Sequence, residues 1–136
     1  MLSIHELEVG QQFARSGPRM TLESFCDFGS LLGTDAPIHC DPAYAANTPF
    51  GKVIAQGPLL LAPFESWMCE LFGEDAWSRT GAIRGKFLVP GQVDSTVRLE
   101  MSVRDIVDGR VLFDLRALSD QNLLAVATAE LTLASS

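Results

Sequence analysis

The large apolar residues change period once along the chain. From Thr21 to about Phe72 they recur at helical spacing, and from Ala82 onward they alternate with polar residues. Ahead of both, Leu7 to Phe13 reads as a first short strand or lead-in, with Gly10 allowing a turn and Pro18 ending it. Thr21 is placed to cap a helix running to about Leu32. Leu22, Phe25, Phe28 and Leu32 share helical spacing on it, and Gly33 is a natural stop. A second helix opens at Gly57-Pro58, runs to about Phe72 and stops at Gly73. Leu59, Leu60, Leu61, Phe64, Trp67, Met68, Leu71 and Phe72 cover nearly every face of it, which predicts a helix buried all round. Pro63 removes one hydrogen bond within it and is expected to bend it.

The stretch from Thr34 to Gln56, between those helices, is irregular. Asp41-Pro42 reads as an N-cap with proline at the first helical position, so a short helix is expected over Pro42 to Asn47. Thr48-Pro49-Phe50-Gly51 is a turn. A long, non-repetitive connection in a small domain is where functional loops sit.

Strands are expected over Ile83 to Val89, Val97 to Arg104, Val111 to Ala117 and Leu123 to Leu133. Asp108-Gly109 marks a hairpin, and Asp120-Gln121-Asn122 a further turn. A buried helix followed by an antiparallel meander predicts an α+β domain: a curved sheet wrapped around a long central helix. One domain over 1–136 is expected from the length. Such a sheet has limited core alone, so a homodimer or larger homo-oligomer is expected.

Composition narrows the function. Apolar residues make up 47% of the chain and charged residues 20%, which excludes a disordered segment. The net charge of −7 argues against nucleic acid as a partner but leaves room for a small anionic ligand. Cys26, Cys40 and Cys69 are too few and too scattered for a disulfide framework or a zinc site, and predict reduced thiols in a cytoplasmic protein. The N-terminus carries no signal-peptide pattern, and no apolar run is long enough for a membrane span, so no membrane partner is expected.

The chemistry concentrates in Gly33-Thr34-Asp35-Ala36-Pro37-Ile38-His39-Cys40-Asp41-Pro42. This run resembles the signature of the MaoC-like hydratase/dehydratase family, G-D-x-N-P-[ILV]-H followed by a short helix. The likeness continues through Ala43-Tyr44-Ala45, Thr48-Pro49-Phe50-Gly51 and Ile54-Ala55-Gln56-Gly57. Lys86-Phe87-Leu88-Val89-Pro90-Gly91 is similar to the family's R-F-x-x-P-V strand, and Leu7-Glu8-Val9-Gly10-Gln11 to its opening. The resemblance implies the hot-dog fold. It also implies an acyl-thioester substrate, a 2-enoyl or 3-hydroxyacyl thioester of coenzyme A or an acyl carrier protein, with no separate cofactor and no metal. Water adds across the double bond or leaves in reverse.

In that reaction one group activates water, a proton reaches or leaves the alpha carbon, and the enolate oxygen is stabilised. His39 falls on the family's catalytic histidine, and its near-neutral range suits water activation. Gly57 falls at the start of the central helix, where unpaired N–H groups and the positive dipole end face an anion; Pro58 has no N–H to offer. The match departs at one point. Anchored on Gly33, Pro37 and His39, the family aspartate falls on Thr34 and its asparagine on Ala36. Three readings follow: a one-residue shift lets Asp35 supply the carboxylate, His39 works with Thr34 or another carboxylate, or the domain binds thioesters as a catalytically silent or partner subunit.

Other candidates carry plainer alternatives. Asp41 reads as the helix N-cap. Glu65 on the central helix is the carboxylate a hot-dog thioesterase would use. Cys40, beside His39, lacks an orienting group for a nucleophile. Arg84 and Lys86 share one strand face and either meet coenzyme A phosphates or are simply solvated. Phe25, Phe28, Phe64 and Trp67 either line an acyl tunnel or fill the core.

Overall fold

The computed structural model describes residues 1–120 and 122–134. A 3₁₀ turn over Ile4–Glu6 leads into strand β1, Gln12–Ser16. Helix α1 covers Leu22–Leu32, with Thr21 accepting a hydrogen bond from the Ser24 N–H and Gly33 closing the helix in the left-handed region at φ 72°. Two short helices follow, α2 over Pro37–Cys40 and α3 over Pro42–Ala46, then the central helix α4 over Gly57–Phe72 and α5 over Glu74–Thr80. Strands β2 (Ala82–Phe87), β3 (Arg98–Val107), β4 (Arg110–Ser119) and β5 (Asn122–Thr132) complete the chain.

The five strands form one antiparallel sheet in the order β1-β3-β4-β5-β2. The meander therefore comprises β3 to β5 only. Strand β2 does not pair with its sequence neighbour β3 but crosses to the far edge beside β5. The Asp108-Gly109 hairpin has φ of 52° and 82°, the two positive angles that its tight turn demands. Gln121, in the second expected turn, lies outside the described residues. Register shifts between Val103 and Asp105 on β3, and between Ala117 and Leu118 on β4, let the ladders bend around the helix.

Alternation decides which side is core. Leu99, Met101 and Val103 on β3, Val111, Phe113, Leu115 and Ala117 on β4, and Ala125, Ala127, Ala129 and Leu131 on β5 are buried facing α4. The outer face carries Arg98, Glu100, Arg104, Asp114, Arg116 and Glu130, joined by exposed ion pairs worth little individually. Helix α4 meets the sheet through Leu59, Leu60, Phe64, Trp67, Met68 and Phe72. Phe72 lies 5.5 Å from the Phe113 ring, and Phe64 stacks on Trp67 at 6.4 Å. Gly85 lets α4 pack close to β2: a Cβ there would fall 2.7 Å from a Leu61 methyl, which would have to turn aside.

Several expectations change. The central helix is not covered on every side, because Pro58, Glu65, Ser66 and Glu70 are exposed along one stripe. The apolar residues are more numerous than the buried face needs, and Leu61 and Leu71 are only half-buried. Leu7 to Phe13 is not a strand throughout; pairing begins at Gln12. Strand β2 ends at Phe87 rather than Val89, and α3 at Ala46 rather than Asn47. Helices α2 and α5 have no counterpart in the sequence reading. Each is too short to show a period, and α5 is held by tertiary contacts: Thr132 N–H donates to Thr80 Oγ1 at 2.9 Å. Phe25, Phe64 and Trp67 are buried and Phe28 half-buried, all within the hydrophobic core.

Candidate active site

A four-residue strip, Ile54-Ala55-Gln56-Gly57, organises the site. It runs between α3 and α4 and is pinned on both sides. Ala55 N–H donates to Gly91 O at 2.7 Å, and Ile54 N–H donates to Ile38 O at 3.2 Å. Each residue of the strip except Ala55 then touches one of the candidate groups.

Ile54 fixes His39. The histidine sits on the single turn of α2, half-buried, with Nδ1 2.7 Å from Ile54 O. A carbonyl oxygen only accepts, so Nδ1 must carry the proton and donate it. In the neutral ring this leaves Nε2 as a free lone pair, the form a general base requires. Asp41 ends α2 and caps α3: its Oδ1 accepts from Ala43 N–H at 3.1 Å and Tyr44 N–H at 3.2 Å. Its carboxylate is thereby committed to the helix start.

Gln56 holds the loop ahead of His39. It is 2% exposed, one of two buried polar residues among those described. Its Nε2 donates to Phe25 O at 2.7 Å and to Thr34 O at 3.0 Å, tying α1 and the loop to the start of α4. Thr34 N–H in turn donates to Gly29 O at 2.9 Å. The loop lies so close to α1 that a Cβ on Gly29 would come within 2.9 Å of Asp35 Cα.

Gly57 opens α4. As the first helical residue it has no acceptor within the helix for its N–H, and Pro58 follows it. The Phe87 ring from β2 covers this point, 2.7 Å from where a Gly57 Cβ would stand.

The candidates thus divide. His39, Thr34 and Gly57 are gathered by the strip. Asp35 and Pro58 are adjacent in sequence but exposed. Thr34 turns its hydroxyl inward: Oγ1 has under 1 Å² of accessible surface and no hydrogen-bond partner among the described residues. Glu65 is exposed on the open stripe of α4, and Arg84 and Lys86 are exposed on the outer face of β2. Burial, and then the Cys26 thiol beside it, push the Cys40 thiol up to about 11, which removes it as a nucleophile at neutral pH. All three cysteines are free, and no group of three or more metal-ligating side chains occurs among the described residues. No helix among them is long and apolar enough to cross a membrane.

Sequence reasoning missed Gly29, Ile54, Gln56 and Phe87. Gln56 did leave a signal: an uncharged polar residue in an apolar run, directly before a helix whose cap it does not supply. Ile54 left none, because its contribution is a backbone carbonyl.

A sheet of this order curled about one helix, with a short histidine-bearing helix at that helix's N-terminus, defines a hot-dog domain. The sequence model for the family described as "MaoC like domain" matches residues 8–118, and the chain belongs to that family. An (R)-specific enoyl-CoA hydratase of Aeromonas caviae is 32% identical over 105 residues, 75% of each chain. The solved (R)-hydratase from A. caviae involved in PHA biosynthesis has a TM-score of 0.80 at 26% identity, covering 94% of this chain and 98% of that one. R-hydratase PhaJ1 from Pseudomonas aeruginosa has a TM-score of 0.84 at 23% identity, over 97% and 85%. The ChsH1-ChsH2 complex from Mycobacterium tuberculosis has one of 0.80 at 14%, over 93% and 98%. The last two bear on the fold alone.

Proposed function

We propose that the chain is a hydro-lyase acting on 2-enoyl or 3-hydroxyacyl thioesters of coenzyme A or an acyl carrier protein. One observation carries the reading: His39, held as an Nε2 base by Ile54 O, lies at one end of the same short strip whose other end presents the Gly57 N–H. A base and an oxyanion donor on one rigid segment are the two groups that addition of water to an enoyl thioester demands. His39 Nε2 takes a proton from water as the oxygen bonds the beta carbon. The double-bond electrons move toward the thioester oxygen, where the Gly57 N–H and the helix dipole receive the charge. The alpha carbon then takes the proton from His39, and the enzyme is restored.

The relative from A. caviae supports the enoyl-CoA class and the (R) sense. Thr34 stands where the resemblance puts an aspartate, so His39 carries the acid/base work; Asp35 is exposed beside it. The unpaired edges of β1 and β2 support a homodimer or larger assembly, and the free thiols suit a cytoplasmic setting. Loss of the enoyl absorbance of crotonyl-CoA, slowed about 10²- to 10⁴-fold in His39→Ala, is the test. Absence of turnover on short, medium and branched enoyl-CoAs by the wild type would sink the reading.

A second reading has its own observation. A hydroxyl closed to solvent at the aspartate position suits a silent subunit paired with an active homologue. Co-purification from the native source decides, since a lone, active homo-oligomer rejects it. Glu65 lies on the exposed stripe of α4, so the thioesterase reading needs a partner subunit to cover it, and free-thiol release from acyl-CoA that survives Glu65→Gln rejects it.

A further inference from the structure

Two buried side-chain oxygens have no partner among the described residues, Thr34 Oγ1 and Gln56 Oε1, each with under 1 Å² of accessible surface. A buried polar atom left unsatisfied is costly, and two in contact with the same short loop call for an explanation. The amide of Gln56 cannot turn over to help. Its Nε2 already serves Phe25 O and Thr34 O, and turning it would set an oxygen against both carbonyls. Oε1 is therefore an acceptor only. Thr34 Oγ1 carries a proton to donate. Neither atom is open to a water-sized probe, and the Gln56 amide already touches Thr34 through its backbone. Rotation about the Thr34 Cα–Cβ bond exchanges hydroxyl and methyl at almost constant volume. Such a rotation is what would let the hydroxyl donate to Oε1 while the amide N–H stays on the Thr34 carbonyl.

We infer that Gln56 is a positioning residue that grips Thr34 at two points, its N–H on the Thr34 carbonyl and its Oε1 on the Thr34 hydroxyl. The clamp sets His39 against the Gly57 N–H. Gln56 is both the N-cap residue of α4 and the anchor of the loop that leads into α2. Through it the segment ahead of the base and the helix end bearing the oxyanion donor keep one spacing. The threonine hydroxyl is committed to this clamp and does not reach substrate. The catalytic half of this inference rests on the hydratase reading above; the clamp itself does not.

A double-mutant cycle with Thr34→Val and Gln56→Met tests it, read first by thermal unfolding, which needs no turnover. The single losses in Tm should sum to more than the double mutant's loss by about 4 °C, the shift one lost hydrogen bond gives in a chain of this size. Thr34→Ser, which keeps the hydroxyl, should stay within about 2 °C of wild type on the same scale. If Gln56→Met is insoluble, Gln56→Asn, too short to reach both carbonyls, takes its place. Additive losses overturn the clamp whether or not the protein is a hydratase.

The second readout is kinetic. Loss of the clamp should lower kcat about 10-fold or more while KM for the enoyl thioester moves little, since misplacement of a base costs rate rather than binding. Thr34→Asp should lower Tm and leave kcat no higher, because it faces a buried carboxylate with an amide oxygen. A 10-fold rise in kcat/KM for Thr34→Asp without loss of Tm would show position 34 open to substrate and refute the inference. Wild type without turnover would refute the hydratase reading alone and leave the Tm cycle to judge the clamp.

Discussion

Gly29→Ala separates two rules that give opposite answers. Gly29 lies inside α1 with a backbone that other residues adopt, since its φ is not among the positive ones. Helix propensity alone predicts that alanine there stabilises the protein by about 1 kcal/mol. The neighbouring loop predicts the reverse. The new Cβ would stand 2.9 Å from Asp35 Cα, 3.0 Å from Asp35 Cβ and 3.0 Å from Thr34 O. Two of those atoms are backbone, so the relief is a shift of the loop rather than a swing of a side chain. Overpacking of this kind costs about 1–3 kcal/mol. The balance is a net loss of about 0–2 kcal/mol, or a fall in Tm of up to about 8 °C. The displaced atoms are those that Gln56 holds and that lead to His39, so turnover should fall by about 10-fold or more even where Tm moves little. Ser30→Ala, exposed on the same helix, isolates propensity and should be neutral or slightly stabilising. The assays are thermal unfolding and crotonyl-CoA hydration on both variants. A Gly29→Ala protein that is more stable than wild type and equally active would refute the close-approach argument.

Other outcomes follow from single contacts. His39→Ala should lower kcat by about 10²- to 10⁴-fold with the melting curve little changed, read by enoyl-CoA turnover. Gly57→Ala keeps the N–H but drives the Phe87 ring aside; the ring is half exposed and free to move, so Gly57→Ala with Phe87→Ala should be more active than Gly57→Ala alone. Asp41→Ala removes the two bonds that start α3 and should cost about 0.5–2 kcal/mol in denaturant unfolding. A Cys40 thiol raised from 9.0 to about 11 has roughly 10²-fold less thiolate at pH 8. Peptide mapping after brief alkylation should find it labelled that much more slowly than a free thiol.

The long elements were legible because each signal was local and repeated. Thr21 and Gly33 bracket α1, Gly57 and Gly73 bracket α4, and Asp108-Gly109 marks its hairpin. Pairing was less so. Nothing in β2 itself says that Arg84 meets Thr128 rather than a residue of β3, because the partner is chosen by how the sheet closes around α4. The exposed stripe of α4 was missed for a related reason: an apolar count cannot tell which side neighbours reach. At the site, likeness and helix-end electrostatics singled out His39 and Gly57, and both lie against the strip from Ile54 to Gly57. The choice between Thr34 and Asp35 was not, because it turns on whether Gly29 lets the loop fold back onto α1. Gln56 was in plain view but took no role, since its two partners are carbonyls 22 and 31 residues away.

The strip from Ile54 to Gly57 makes its two closest approaches to chemistry through main-chain atoms, a carbonyl on His39 and an N–H at the helix start. Every amino acid except proline supplies both. On the hydratase reading, side-chain scanning will therefore register only packing at position 54 and only the room taken from the Phe87 ring at position 57, while the two main-chain groups pass unread. Replacing the amide ahead of Gly57 with an ester, which deletes the N–H and leaves every side chain in place, would expose it. Position 54 can then drift far in sequence before the rate changes, whereas Gln56, which holds the loop, and Gly57, which leaves room for the Phe87 ring, cannot.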